Sequence, residues 1–257
     1  MIDTHCHLYF DAYDADRDAM LERARSAGVR GFVCVGIDPR SNGQALTLAQ
    51  AHPDMIATAG LHPHSAHEAT EELVGEVEAQ IASGHYRAVG EIGLDYYKSQ
   101  AGPEAQRPLF ERLIAGAAAR GLPVIVHSRE ALEDTRGCLT TAGNGRVRGV
   151  MHCYSYDVRA MRAFLDLGMH ISFACNTTYP KAVHLSEAVA YVPEDRFVIE
   201  TDSPYLPPRS LRGQRNEPAH LTELVAFIAS RRGQSEQEVA EASERNARRL
   251  FAWERSK

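Results

Sequence analysis

No Cys-x-x-Cys pair, no glycine-rich phosphate turn and no long apolar run occurs in this 257-residue chain. The five cysteines, Cys6, Cys34, Cys138, Cys153 and Cys175, are odd in number and irregular in spacing. That excludes a disulfide framework and a zinc knuckle. They read as small core residues in a reducing compartment. The most apolar stretch, around 113–119, is too short to span a bilayer and lies between Arg112 and Arg120. The opening MIDTHCHL has no basic segment followed by an apolar run, as a secretory signal would. These absences predict a cytosolic protein without a membrane segment. A basic excess is missing too: 28 Lys and Arg stand against 34 Asp and Glu, a net charge of −6. Proteins that coat nucleic acid nonspecifically are usually basic. A polyanionic substrate would therefore need a metal or a few placed cations.

What is present is a rhythm. Apolar residues make 44% and charged residues 24%, as in ordinary globular proteins and unlike disordered chains. Eight short β-rich runs stand at 1–4, 31–37, 56–61, 88–92, 123–126, 149–151, 170–173 and 197–201. Amphipathic segments at 14–27, 41–51, 68–83, 103–120, 129–141, 157–167 and 182–191 separate them, and 218–232 and 235–253 follow the last. Gly28, Gly84, Gly121, Gly168 and Gly233 stand where helices should end, and Pro103 where one should begin. Eight strand–helix pairs in about 250 residues predict a single-domain α/β protein over 1–257, a (β/α)8 TIM barrel. The competitor is an open doubly wound sheet. It would carry GxGxxG or a Walker sequence after its first strand, where this chain has His-Cys-His.

The chemically capable residues follow the strand-like runs directly. His5 and His7 follow the first, His62 and His64 the third, Glu91 lies in the fourth, His127 ends the fifth, His152 the sixth and Asp202 the eighth. In a barrel, those strand ends share one face, where barrel enzymes place their active sites. Residues i and i+2 of a strand point to the same side, so His5 and His7 can chelate one metal together. Four imidazoles and two carboxylates exceed one tetrahedral ion with an open position. They suit two divalent cations sharing a carboxylate. Glu91 is the expected bridge, His5 and His7 hold one ion, and His127 and His152 the other. Asp202 binds at the first ion and orients the attacking water or takes its proton. Mixed nitrogen and oxygen ligation leaves Mg, Mn, Zn and Ni all open. Such a site implies hydrolysis, most naturally at phosphorus.

Other residues have two readings. His62 and His64 contact substrate phosphate or pack around Pro63. Arg129 holds a phosphate with its forked donors or pairs at a helix start. Glu200, two before Asp202, faces the axis or makes a structural salt bridge. Cys6 alternates away from its histidine neighbours and should pack. Asp95 and Tyr96 shape the rim or do not. Arg209, Arg212 and Arg215 form a substrate-gripping rim or a solvated loop.

IDTHCHL, GLHPH, GEIGLDYY, PVIVHSREA, MHCYS, IETDSPYLPP and RGQRNEPAHL, in that order, resemble the TatD family of metal-dependent hydrolases. The match runs from residue 2 to the last helix. The resemblance implies a TIM barrel of amidohydrolase type and a one- or two-metal site ligated by His5, His7, Glu91, His127, His152 and Asp202. It implies DNase activity, often 3′-to-5′ exonuclease, with single-stranded DNA ends as substrate. Some members lack the first His-x-His, and its presence here favours two metals. Tyr154 stands where Phe is commoner, and 175–181 departs from the usual pattern. Rival expectations are an amidase, esterase or aminoacyl-tRNA deacylase using the same ligands, and a barrel with a purely structural metal. The oligomeric state is open, and a monomer would suffice.

Overall fold

Runs rich in Val and Ile between helix-ending glycines become eight parallel strands in the computed structural model, which describes residues 1–144 and 147–253. The expected domain also includes 145–146 and 254–257, which lie outside the described residues. The strands are β1 (Ile2–Cys6), β2 (Gly31–Val35), β3 (Met55–Thr58), β4 (Val89–Asp95), β5 (Val124–Arg129), β6 (Gly149–Met151), β7 (Met169–Phe173) and β8 (Phe197–Ile199). Helices α1 (Arg17–Ser26), α2 (Pro39–Ala51), α3 (Glu71–Ala82), α4 (Pro103–Ala118), α5 (Leu132–Ala142), α6 (Val158–Asp166) and α7 (Val183–Tyr191) connect them, and α8 (Leu221–Arg232) and α9 (Glu236–Leu250) follow β8. The alternation expected from sequence is the alternation observed. None of the described helices is long and apolar enough to cross a membrane.

Strands pair in chain order as β1-β2-β3 and β4 through β8. Parallel bridges at Cys6–Ser203 and Ala59–Val89 join the two sheets. Backbone bonds from Asp202 N–H to the His5 carbonyl (2.9 Å), His7 N–H to Ser203 (2.8 Å) and Gly90 N–H to Ala59 (2.9 Å) close the cylinder. The molecule is thus a (β/α)8 barrel, and its closure covers sheet edges of the kind that invite aggregation when left open.

Two apolar layers hold it. Phe32, Cys34, Val89, Val124, Val126 and Met151 face outward into the helices. Ile2, Val33, Val35, Ile56, Ala88, Ile125, Val150 and Val198, from seven of the strand regions, form one inner cluster with Ala247, Leu250 and Phe251 of α9 and its end. Each fully buried Val, Leu, Ile or Phe side chain among these contributes about 1.5–3 kcal/mol from area removed from water. The inner cluster lies toward the strand starts, so the C-terminal strand ends are left for polar residues.

Two strands break strict alternation. Between Asp3 and Cys6, β1 advances three residues while β2 advances two. Between Val89 and Ile92, β4 advances three while β5 advances two. An extra residue of this kind re-aims side chains. Gly93, at φ +145°, lies so close to the His127 carbonyl that a Cβ there would overlap it. The expected helix 129–141 begins later, at Leu132. Arg129 stays in β5 and Glu130 takes φ +53°, which ends the strand and delays the helix.

Candidate metal centre

Side chains from β1, β4, β5, and the loops after β3, β6 and β8 converge at the C-terminal mouth around a cavity of about 680 Å³. Glu91 is at the middle, and its two oxygens face different groups. Oε2 lies 3.3 Å from His5 Nε2 and 3.9 Å from His7 Nε2. Oε1 lies 2.9 Å from His127 Nδ1, 3.4 Å from His62 Nε2 and 3.6 Å from His152 Nε2. Asp202 Oδ1 is 3.5 Å from His7 Nε2, 3.8 Å from His5 Nε2 and 4.0 Å from His152 Nε2.

Neighbouring groups orient each ring. His7 Nδ1 donates to the Val35 carbonyl at 2.8 Å, leaving the lone pair of the neutral ring on Nε2. That Nε2 is 3.2 Å from His5 Nε2. Two ring lone pairs at this separation repel unless a proton or a cation lies between them. Nitrogens sharing a cation through bonds of about 2.1 Å would stand about 3–3.4 Å apart, so the residues fit one. The ligand atoms of His5, His7 and Asp202 lie within 4.8 Å of one another, as do those of His62, Glu91 and His127. His5 Nδ1 is buried without a hydrogen-bond partner.

On the other side, His127 Nε2 donates to Asp95 Oδ2 at 3.1 Å, which turns Nδ1 toward Glu91. His152 Nδ1 lies 2.8 Å from Glu200 Oε1. Glu200 is itself held by the Cys153 N–H at 2.7 Å and the Ser172 hydroxyl at 2.6 Å. Asp95 behind His127 in this way fixes the tautomer and raises ligand basicity, and Glu200 sets a negative charge beside His152. Asp202 at φ +56° and Cys153 at φ +42° hold the left-handed conformation that non-glycine residues rarely adopt, a form of strain that collects at functional sites.

The cluster is charged although buried. Burial pushes the Glu91 carboxyl up, but the charges of His62 and His152 and the bonds from His127 and His5 outweigh it and hold Glu91 well below the usual range. Burial likewise opposes ionisation of Asp202, and the bond from His7 with the charges of His152 and His5 keeps it low. Burial lowers His5, with the nearby His152 charge adding to the effect. His152 goes the other way: against burial, the charges of Glu200 and Glu91 raise it to about 10. Nearby carboxylates thus favour the protonated ring at His7, His127 and His152, while burial favours the neutral ring at His5 and His62.

All six expected ligands are therefore gathered, as are His62 and His64. His64 Nε2 contacts Asp95 Oδ2 at 3.0 Å. The His64 N–H donates to His62 Nδ1 at 3.2 Å, so a neutral His62 carries its proton on Nε2 and donates toward Glu91. Arg129 lines the cavity, with its guanidinium 4.2 Å from the ring centre of Tyr97. His152 stacks on His5, with ring centres 3.5 Å apart, while its ring is 6.2 Å from that of His127. Cys6 points away, and its Sγ meets the Val33 carbonyl at 3.3 Å. Residue order alone leaves Glu200 and Asp95 undecided. Their signal is a position two or four residues from another strand-end group, which spacing cannot separate from a salt bridge.

A closed parallel barrel with histidines and carboxylates at its C-terminal mouth defines the class of barrel metal-dependent hydrolases. Within that class, the TatD related DNase family model matches residues 2–252, and the chain belongs to that family. It is 34% identical to an uncharacterized metal-dependent hydrolase, YabD, of Bacillus subtilis, over 98% of each chain. It is 35% identical to a 3′-5′ ssDNA/RNA exonuclease TatD of Erwinia tasmaniensis, over 98% of this chain and 99% of the relative. The crystal structure of YJJV, a TatD homologue from Escherichia coli, superposes with a TM-score of 0.93 at 29% identity, over 99% of this chain and 98% of that one.

Proposed function

We propose that this chain is a cytosolic, single-domain 3′-to-5′ exodeoxyribonuclease that cleaves phosphodiester bonds at single-stranded ends with two divalent cations. The placement of Glu91, with Oε2 toward His5 and His7 and Oε1 toward His127 and His152, carries the reading. Five unpaired cysteines support a reducing compartment.

In this reading His5, His7, Asp202 and Glu91 would hold one cation, and Glu91, His127 and His152 would hold the second. Cations bound there would acidify a bound water and neutralise charge on the scissile phosphate. Asp202 Oδ1 orients the attacking water and takes its proton. Glu200 and Asp95 keep His152 and His127 aimed. His62, His64 and Arg129 face the substrate: a protonated imidazole or guanidinium there can donate to a non-bridging phosphate oxygen.

The test is a 5′-labelled single-stranded oligonucleotide incubated with Mg, Mn, Zn or Ni. Stepwise shortening from the 3′ end that stops with chelator is expected. DNA left intact under all four metals, with acyl or amide substrates cleaved, would overturn the nuclease reading in favour of the rival hydrolase.

A further inference from the structure

We infer that a second groove, beside the metal cavity, binds the part of the single strand that lies 5′ of the scissile bond. The inference rests on the nuclease reading above. The groove has a volume of about 610 Å³ and runs between the loop after β7, the loop after β8, and helices α7 and α8. Thr177, Tyr179, Arg209, Ser210, Phe227 and Arg231 are among its lining residues.

The two hollows share walls. Asn176 lines the metal cavity and Thr177, the next residue, lines the groove. On the facing loop, Leu206 lines the cavity and Arg209 the groove. A strand whose terminal phosphodiester sits at Glu91 can therefore continue across these loops into it.

The lining suits that ligand. Among the described residues, neither Arg209 nor Arg231 makes an ion pair, and both are exposed. The carboxylate in the groove, Glu223, accepts from the Ser210 hydroxyl at 2.5 Å. Two guanidinium groups against one carboxylate leave local positive charge on a chain of net −6. Arg212 lies 5.0 Å from the ring centre of Tyr179, whose hydroxyl donates to the Pro207 carbonyl at 2.7 Å. Thr177 Oγ1 is buried and has no hydrogen-bond partner. Forked cations for phosphates beside the half-buried rings of Tyr179 and Phe227 are the two features that sequence-tolerant single-strand sites combine. Arg215 shows the contrast. It pairs with Asp16 at 2.7 Å and lies over the Tyr13 ring, so it clasps the fold and is not available to a ligand.

The experiment compares wild type with the double variant Arg209→Ala/Arg231→Ala on three kinds of substrate. They are bis(p-nitrophenyl) phosphate, a dinucleotide, and single strands of up to about a dozen nucleotides. For wild type, kcat/KM should climb with length until roughly four nucleotides are occupied. In the variant that climb should flatten: KM for the longest strand rises about tenfold and kcat is kept. The dependence of log affinity on log salt should become shallower by about 1.4, the change expected when two phosphates of a single strand are no longer neutralised. Hydrolysis of the small diester at wild-type rate reports that the variant is folded. If the variant follows wild type at every length and salt concentration, the groove inference is wrong and the nuclease reading stands. If wild type cleaves none of the nucleotides, the nuclease reading falls and the groove inference with it.

Discussion

On β5, β6 and β8 the residues that reach the metal centre follow from plain alternation. His127 is two residues on from the inward Ile125, His152 two from Val150, and Asp202 four from Val198. On β1 and β4 alternation alone would turn the donors away. Ile2 and Ala88 face inward, yet so do His5 and Glu91, three residues on, because each strand carries one extra residue at that point. The orienting groups differ as well. On the regular side carboxylates stand behind the rings, Asp95 for His127 and Glu200 for His152. On the bulged side a backbone carbonyl, that of Val35, holds His7. The rings on the regular side thus each have a carboxylate beside them, whereas on the bulged side main chain holds His7 and His5 Nδ1 has no hydrogen-bond partner among the described residues.

Glu91 belongs to the bulged side and touches both, so removing it should have the largest effect. Glu91→Ala is expected to lose bound metal and about a thousandfold or more in rate, the scale of deleting one essential electrostatic group. Metal counted by elemental analysis alongside turnover checks this, and full metal content at full rate would dissolve the link between the two sides. Glu200→Gln and Asp95→Asn should act on the regular side alone. Each is expected to weaken activity or metal affinity about 10–100-fold while one cation equivalent remains. Equal loss of both cations would show that the two sides are not separable.

The smallest effect sharpens the contrast between partnered and unpartnered histidines. His170 on β7 is paired in register with Val150 on β6, yet among the described residues no carboxylate pairs with it as Glu200 does with His152. Burial, with Arg196 adding to it, lowers His170 from 6.5 to about 4. Between those values the unfolded chain binds the proton and the folded chain does not, so stability falls as pH drops from about 6.5 to about 4. His170→Gln should flatten that part of the stability curve, measured by denaturant unfolding across the range. An unchanged slope would place the titration elsewhere.

Much of this was legible in the residue order. The β6 run was located to the residue, and the six expected ligands all reach one mouth, because strand-end polar residues after Val- and Ile-rich runs have one destination in a closed barrel. The chain could not show the extra residues in β1 and β4, since a bulge depends on what the neighbouring strand does. For the same reason the arginines of the loop after β8 could not be sorted. Arg215 is taken up by Asp16, nearly two hundred positions away in the chain, while Arg209 makes no ion pair among the described residues.

Residue order by itself determined the number of strands, their alternation with helices and the inventory of imidazoles and carboxylates, because short apolar runs and helix-ending glycines are local signals. Tertiary structure alone decided which oxygen of Glu91 faces which histidine, which ring is backed by a carboxylate, and which arginines are paired within the fold. Those are contacts between segments far apart in the chain, set by register and burial when the cylinder closes.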